Sequence, residues 1–224
     1  MRTRFQQGLD DLKGKLLAMG GLAEHSVDLA VRSYQGRVPE LCQKVFENEV
    51  LINMTEREID HLALDLLAMQ QPMAIDLRFI LAVIKSNADL ERVGDQAVNI
   101  AQRVMDLIAF PAAELAADIP EMASISAQMI RQALEAFVSG NAELAQEVLE
   151  RDDVVDRMNQ EIFVAMDKTI HESPEVARQA LDTIMIARNF ERIADHATNI
   201  AEDVIFWVRG ADVRHGSGLT PVQK

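Results

Sequence analysis

Apolar residues recur every three to four positions through most of the chain, with charged and amide residues filling the intervals. That period marks amphipathic helices, because residues three and four apart share one helix face. In the stretch FERIADHATNIAEDV, residues 190–204, Phe190, Ile193, Ala194, Ala197, Ile200, Ala201 and Val204 fall on one stripe. In LERVGDQAVNIAQRV, residues 90–104, Leu90, Val93, Gly94, Ala97, Ile100, Ala101 and Val104 do the same. The breaks between periodic segments are Gly36 with Pro39, Gln71-Pro72, the stretch between Pro111 and Pro120, Ser139-Gly140-Asn141, and Ser173-Pro174-Glu175. Ser173 is expected to cap the last helix, with Pro174 at its first position. Six long helices follow, with no segment of strand-like alternation, and the fold class is all-α.

The second half repeats the first. VPELCQKVFENEVLINMTEREI (38–59) matches NAELAQEVLERDDVVDRMNQEI (141–162), and 90–104 matches 190–204 with eight of fifteen positions identical. Three long helices with short turns must pack antiparallel to hide their stripes. The expected organisation is two tandem, sequence-related three-helix bundles, 1–110 and 111–210, side by side or end to end, with a tail at 211–224.

Composition narrows the function. With 36 acidic against 22 basic residues the formal net charge is -14, which opposes binding to nucleic acid or to an anionic membrane surface. Cations and basic protein patches are the complementary partners. The longest apolar run, FILAVI at 79–84, is too short to span a bilayer, and MRTRFQQGLDDLKGK carries no apolar signal-peptide core. A cytoplasmic location is expected. The single cysteine, Cys42, reads as a small buried hydrophobe, and the eleven methionines read mostly as core filler.

The candidate chemistry is acidic. Opposite the apolar stripes stand Glu91, Asp95, Asn99 and Gln102 in the first half, and Glu191, Asp195, Asn199 and Glu202 in the second. Two acids at i and i+4 repel by about 0.2–0.5 kcal/mol, where a Lys would attract. The chain makes this unfavourable choice twice, and adds an amide one turn further on. Carboxylate and amide oxygens are what a hard cation needs, and Mg, Mn, Ca and Fe all accept them. The preceding helices offer Glu49 and Asn53 in one half, and Asp152, Asp153 and Asp156 as secondary candidates in the other. A solvated acidic face is the plain alternative. His196 reads as a surface histidine, and no nucleotide-binding or nucleophile motif is present.

The paired stretches LERVGDQAVNIA and FERIADHATNIA, together with MGGLAEHSV, QPMAIDLRFI and VRGADVRH, resemble the PhoU family of phosphate-uptake regulators over nearly all of residues 5–215. The resemblance implies two three-helix bundles and metal clusters, iron or other cations, on the two Glu-x-x-x-Asp motifs, here Glu91 with Asp95 and Glu191 with Asp195. It also implies a non-enzymatic adaptor that couples the phosphate-specific ABC transporter to a membrane sensor histidine kinase and represses the phosphate regulon when phosphate is plentiful. The implied partners are the transporter's ATPase subunit, that kinase and a second copy of the chain. A carboxylate-metal enzyme or iron-handling bundle, and a structural tether with a solvated stripe, are the competing readings.

Overall fold

The structure is a computed structural model that describes residues 4–70, 72–113, 115 and 117–210. Six α-helices fill it: α1 Arg4–Gly36, α2 Pro39–Gln70, α3 Ala74–Ile108, α4 Ile119–Ser139, α5 Ala142–Glu172 and α6 Ala177–Arg209, the last preceded by a 3₁₀ turn at Pro174–Val176. No strand occurs among the described residues. The tail expected at 211–224 lies outside the described residues, as does Gln71 of the break before α3.

Local chemistry sets the helix ends. Arg37 takes a left-handed φ of 52° just beyond α1, and its guanidinium donates to the Leu107 carbonyl at 2.7 Å and to the Phe110 carbonyl. It thereby adds a charged donor at the end of α3, where Leu107 also accepts from the Phe110 N–H. Asp118 caps α4 by accepting from the Glu121 N–H, which places Pro120 inside the first turn of α4. Gly140 ends α4 at φ 64°, where a Cβ would also stand 3.1 Å from the Trp207 ring. Asn141 then caps α5 through the Glu143 and Leu144 N–H groups, both at 3.0 Å. Ser173 departs from expectation: its side chain makes no capping bond, and the 3₁₀ turn begun by Pro174 separates it from α6.

Helices α1, α2 and α3 pack on one another, as do α4, α5 and α6, and the two bundles lie side by side through α3 against α6 and α1 against α4. Both contacts are antiparallel. Lys85 meets Asp203 at 3.1 Å near one end of the α3–α6 seam, and Arg103 meets Asp182 at 3.4 Å near the other. Along the second contact, Lys13 donates to the Val138 carbonyl and Arg131 reaches back to Glu24. One continuous apolar core runs through both halves, and the stripes read from the sequence lie in it, from Leu90 to Val104 and from Phe190 to Val204. Cys42 is fully buried. The methionines divide: Met19, Met122, Met129 and Met166 fill the core, while Met54, Met73, Met105 and Met185 are exposed.

Two further features tie the halves together. Phe79 of α3, Phe137 of α4 and Trp207 of α6 form an aromatic triangle with centroid separations of 5.5 to 6.2 Å, and Phe79 meets Trp207 edge-on. Asp182, buried on α6, is clasped by Arg103 from across the seam and by Arg178 at 3.0 Å from its own helix. A buried carboxylate needs such partners, because desolvation penalises an isolated charge heavily.

Candidate functional site

The two Glu-x-x-x-Asp motifs sit near the middle of the α3–α6 seam, because Gly94 and Ile193 lie about midway between the Lys85–Asp203 and Arg103–Asp182 pairs. Their acids do not point into the seam. Glu91 lies within reach of α2, where Glu56 and Glu49 repel it, and Asp95 pairs with Arg92 of its own helix. Glu191 and Asp195 are drawn toward α5, where Asp156 acts on both and Asp152 joins them. Close helix approach makes the first groove. A Cβ on Gly94 would stand 2.9 Å from Ile52 Cδ1 of α2, so glycine lets α2 and α3 close up.

The first-half acids are less exposed than a helical wheel suggests, whereas Asp156 and Asp195 of the second half are exposed. The Glu91 and Asp95 side chains retain 19% and 30% of their accessibility. Burial, followed by the Asp95 charge, pushes the Glu91 carboxyl above its ordinary value. Burial and Asp195 do the same to Glu191, and burial and Asp156 to Asp195. Asp152 is pushed furthest, to about 6, first by burial and then by Asp156, Asp195, Asp153 and Glu191. Its Oδ1 is buried with no hydrogen-bond partner. Asp152, a secondary candidate from sequence, therefore belongs to the second-half cluster with Asp156, Glu191 and Asp195, while Asp153 is exposed beside it.

The halves differ in counter-charge. Arg92 lies 3.4 Å from Glu91 and 3.1 Å from Asp95, an internal cation for the first pair. Among the described residues Glu191 and Asp195 form no ion pair; Arg188 and Arg192 act on them only from a distance. The first half also carries Asn53 where the second has Asp156.

The amides separate from the acids. Asn199 turns toward α3 and donates to Asp89 Oδ1 at 3.0 Å. His196 meets the same oxygen at 2.8 Å with 19% of its side chain accessible, so it is a seam residue and not the surface histidine expected. Asn99 is half-buried on α3. The seam bonds of Asp89 were not foreseen. The only signal for them was the tilt of His196 and Asn199 to one side of the motif, which fixes a flank but not its neighbour.

Among the described residues no three His, Cys, Asp or Glu side chains converge, as placed, into a finished cation cage. The donor set nonetheless fits a hard cation. It is all oxygen, its members raise one another's pKa, and Asp152 holds a buried acceptor without a donor. A cation there would draw on Asp152, Asp156, Glu191 and Asp195, and would supply the positive charge that the cluster lacks.

Metal-free protein should show the strain as a pH dependence. The folded Asp152 binds its proton more tightly than the unfolded chain, so this site favours folding below pH 4 and loses that contribution as pH rises toward about 6. The group is half-exposed, and solvent screening reduces the effect to about 1 kcal/mol. Asp152→Asn should therefore raise the melting temperature at pH 7 by about 2–4 °C, and by much less at pH 4. Calorimetric scans of both proteins at the two pH values give the comparison, and an equal shift at both would remove the Asp152 carboxyl as its cause.

The fold and site together define an all-α protein of tandem three-helix bundles whose repeated acids line helix–helix grooves. The model of the PhoU domain matches residues 16–104 and again 119–204, and the chain belongs to the PhoU family. A phosphate-specific transport system accessory protein PhoU homolog of Pseudomonas aeruginosa is 40% identical over 99% of this chain and 91% of that protein. A relative with the same description in Pseudomonas putida is 40% identical over 95% of this chain and 83% of its own length. The crystal structure of PhoU from Pseudomonas aeruginosa superposes with a TM-score of 0.90 at 38% identity, covering 92% of this chain and 100% of that one.

Proposed function

We propose that the chain is a cytoplasmic accessory protein of phosphate uptake, a metal-binding adaptor that links the phosphate-specific ABC transporter to a sensor histidine kinase and restrains the phosphate response when phosphate is plentiful. Membership of a family whose relatives are named as accessory proteins of phosphate-specific transport supports the place in phosphate uptake. One structural observation carries the metal part: Asp152, Asp156, Glu191 and Asp195 crowd one groove with no bonded cation, and Asp152 is left half-protonated near pH 6. A hard cation, iron or Mn, Mg or Ca, relieves that repulsion and makes the acidic groove a less negative, altered docking surface.

An adaptor accounts for the features better than an enzyme does. The acids line grooves on the outside of the bundles, no nucleophile motif accompanies them, and a net charge of -14 repels phosphate itself. Among the described residues no helix is long and apolar enough to cross a membrane, so membrane association runs through the partners. The ATPase subunit of the transporter and the kinase are those partners, and the adaptor works as a homodimer.

Affinity purification from phosphate-replete membranes tests the reading, with mass spectrometry of what co-purifies with the native chain and with an Asp95→Asn, Asp195→Asn variant. Recovery of the ATPase subunit or kinase with the native chain, reduced several-fold with the variant, is expected. Equal recovery with both would detach the acids from docking, and recovery of neither would remove the adaptor role.

A further inference from the structure

Exposed apolar side chains scattered singly are ordinary on a protein surface; a contiguous set is not. Four stand together near the Arg103–Asp182 end of the seam. Leu181 and Met185 sit one turn apart on the outer stripe of α6. Met105 of α3 flanks them on one side, where Arg178 of α6 reaches the neighbouring Asp106 at 3.2 Å. Phe163 of α5 flanks them on the other. It lies two turns along α5 from Asp156, which faces Glu191 and Asp195, and α5 runs antiparallel to α6. Each of the four is between 39% and 51% exposed. From Ala177 to Ala194 the exposed residues of α6 are Arg178, Leu181, Met185, Arg188 and Arg192, with no acid among them. Arg178 is held by Asp106 and Asp182. Arg188 and Arg192 form no ion pair among the described residues and act on Glu191 and Asp195 only from a distance. Folding does not require this pattern, as the sister half shows. The matching positions there hold Asp60 for Phe163, Lys85 for Met185 and Ala88 for Arg188, and Lys85 is paired with Asp203.

We infer that this patch docks a partner protein through an amphipathic helix with an apolar stripe and acidic flanks. The inference takes from the adaptor reading only that the occupant is a protein. A helical occupant follows from the surface itself. Every described element here is a helix, so no strand edge is offered for an extended segment to join. Met105 and Phe163 lie on the two helices that flank α6, two interhelix distances or about 16–20 Å apart. An apolar stripe of three helical turns, about 16 Å long, spans that width. Acidic flanks follow from Arg188 and Arg192, which place uncommitted cations beside an apolar patch on a chain of net charge -14. An anionic membrane is disfavoured, because Glu191 and Asp195 on the same helix would be pressed against its headgroups.

Fluorescence anisotropy with the full chain and a dye-labelled, hydrocarbon-stapled helical peptide tests this in buffer containing a chelator. The peptide carries a leucine stripe with glutamates elsewhere, and two controls replace its leucines by serine or its glutamates by glutamine. The glutamate–leucine peptide should bind with a Kd of about 100 µM or tighter. Each control should bind about tenfold more weakly. A variant with Phe163→Asp and Arg188→Ala takes the residues that the sister half already holds at those places, so its melting temperature should stay near the native one. It should bind the peptide about tenfold more weakly. Leu181→Ser, a single exposed change that leaves charge untouched, should weaken binding several-fold and still discriminate glutamate from glutamine. Because the peptide is synthetic, these results stand apart from the co-purification that tests the adaptor role. Equal binding by the native chain and both variants, indifference to the glutamates, or no binding at millimolar peptide would each overturn the assignment. So would sedimentation of the native chain, and not of the Phe163, Arg188 variant, with phosphatidylglycerol vesicles, which would make the patch a lipid surface.

Discussion

At pH 7, Mn²⁺ should bind about a hundredfold more weakly once Asp156 and Asp195 are both changed to asparagine. The two residues come from different helices, and Asp156 is the largest charge acting on Asp195. Two unit charges 4 Å apart interact by about 4 kcal/mol near a protein surface, and partial hydration of the groove reduces this to ~1.5 kcal/mol per carboxylate. Two such losses multiply to about a hundredfold. Asparagine keeps the shape and one oxygen, so folding should survive. The matching change in the first half, Glu91→Gln with Asp95→Asn, should cost less, because Arg92 already neutralises that pair in part. Equilibrium dialysis with Mn²⁺ at fixed ionic strength reads both variants. Equal affinity in the native chain and the Asp156, Asp195 variant would return the second-half acids to the status of a solvated surface.

Phe137→Ala should lower stability by about 3–5 kcal/mol, the usual range for emptying a buried aromatic site. Phe137 is 1% exposed and lies on α4 between Phe79 of α3 and Trp207 of α6. Its ring therefore supports helices of both bundles, and partial collapse of one half cannot refill the space. The melting temperature should fall by roughly 6–20 °C at 2–4 °C per kcal/mol. Trp207 is the one tryptophan of the chain, so its fluorescence reports this region alone. Urea unfolding followed by that fluorescence should move to a lower midpoint. A loss below about 1 kcal/mol would show that the triangle is not part of what joins the halves.

The helices and their buried faces were legible in the chain because the apolar period is strong and the repeat shows it twice. Leu90 to Val104 and Phe190 to Val204 lie where their spacing puts them. Side-by-side packing was not legible. The charges that mark the seam, Lys85, Arg103, Asp182 and Asp203, look from sequence like any solvated residues, and their pairing requires knowing that α3 runs antiparallel to α6. The same gap explains the site. Periodicity puts Glu191 and Asp195 away from their own core, but whether that direction meets water or another helix depends on α5. The repeat offered Asp152, Asp153 and Asp156 as candidates, but only the fold sets Asp152 and Asp156 against Glu191 and Asp195, and only the fold gives Asn199 and His196 to Asp89 across the seam.

The antiparallel seam makes this chain a dimer of related halves locked into one molecule. Two separate copies of a three-helix unit would share every substitution, so a change that weakened one groove would weaken both. Joined by the connection after Ile108, the halves can drift apart in sequence while dilution cannot part them. One groove carries Asn53 and the bound guanidinium of Arg92, and the other carries Asp156 without one. On the metal-binding function proposed above, a single polypeptide would answer at two different thresholds of the same ion, in a fixed one-to-one ratio that no change in expression can alter.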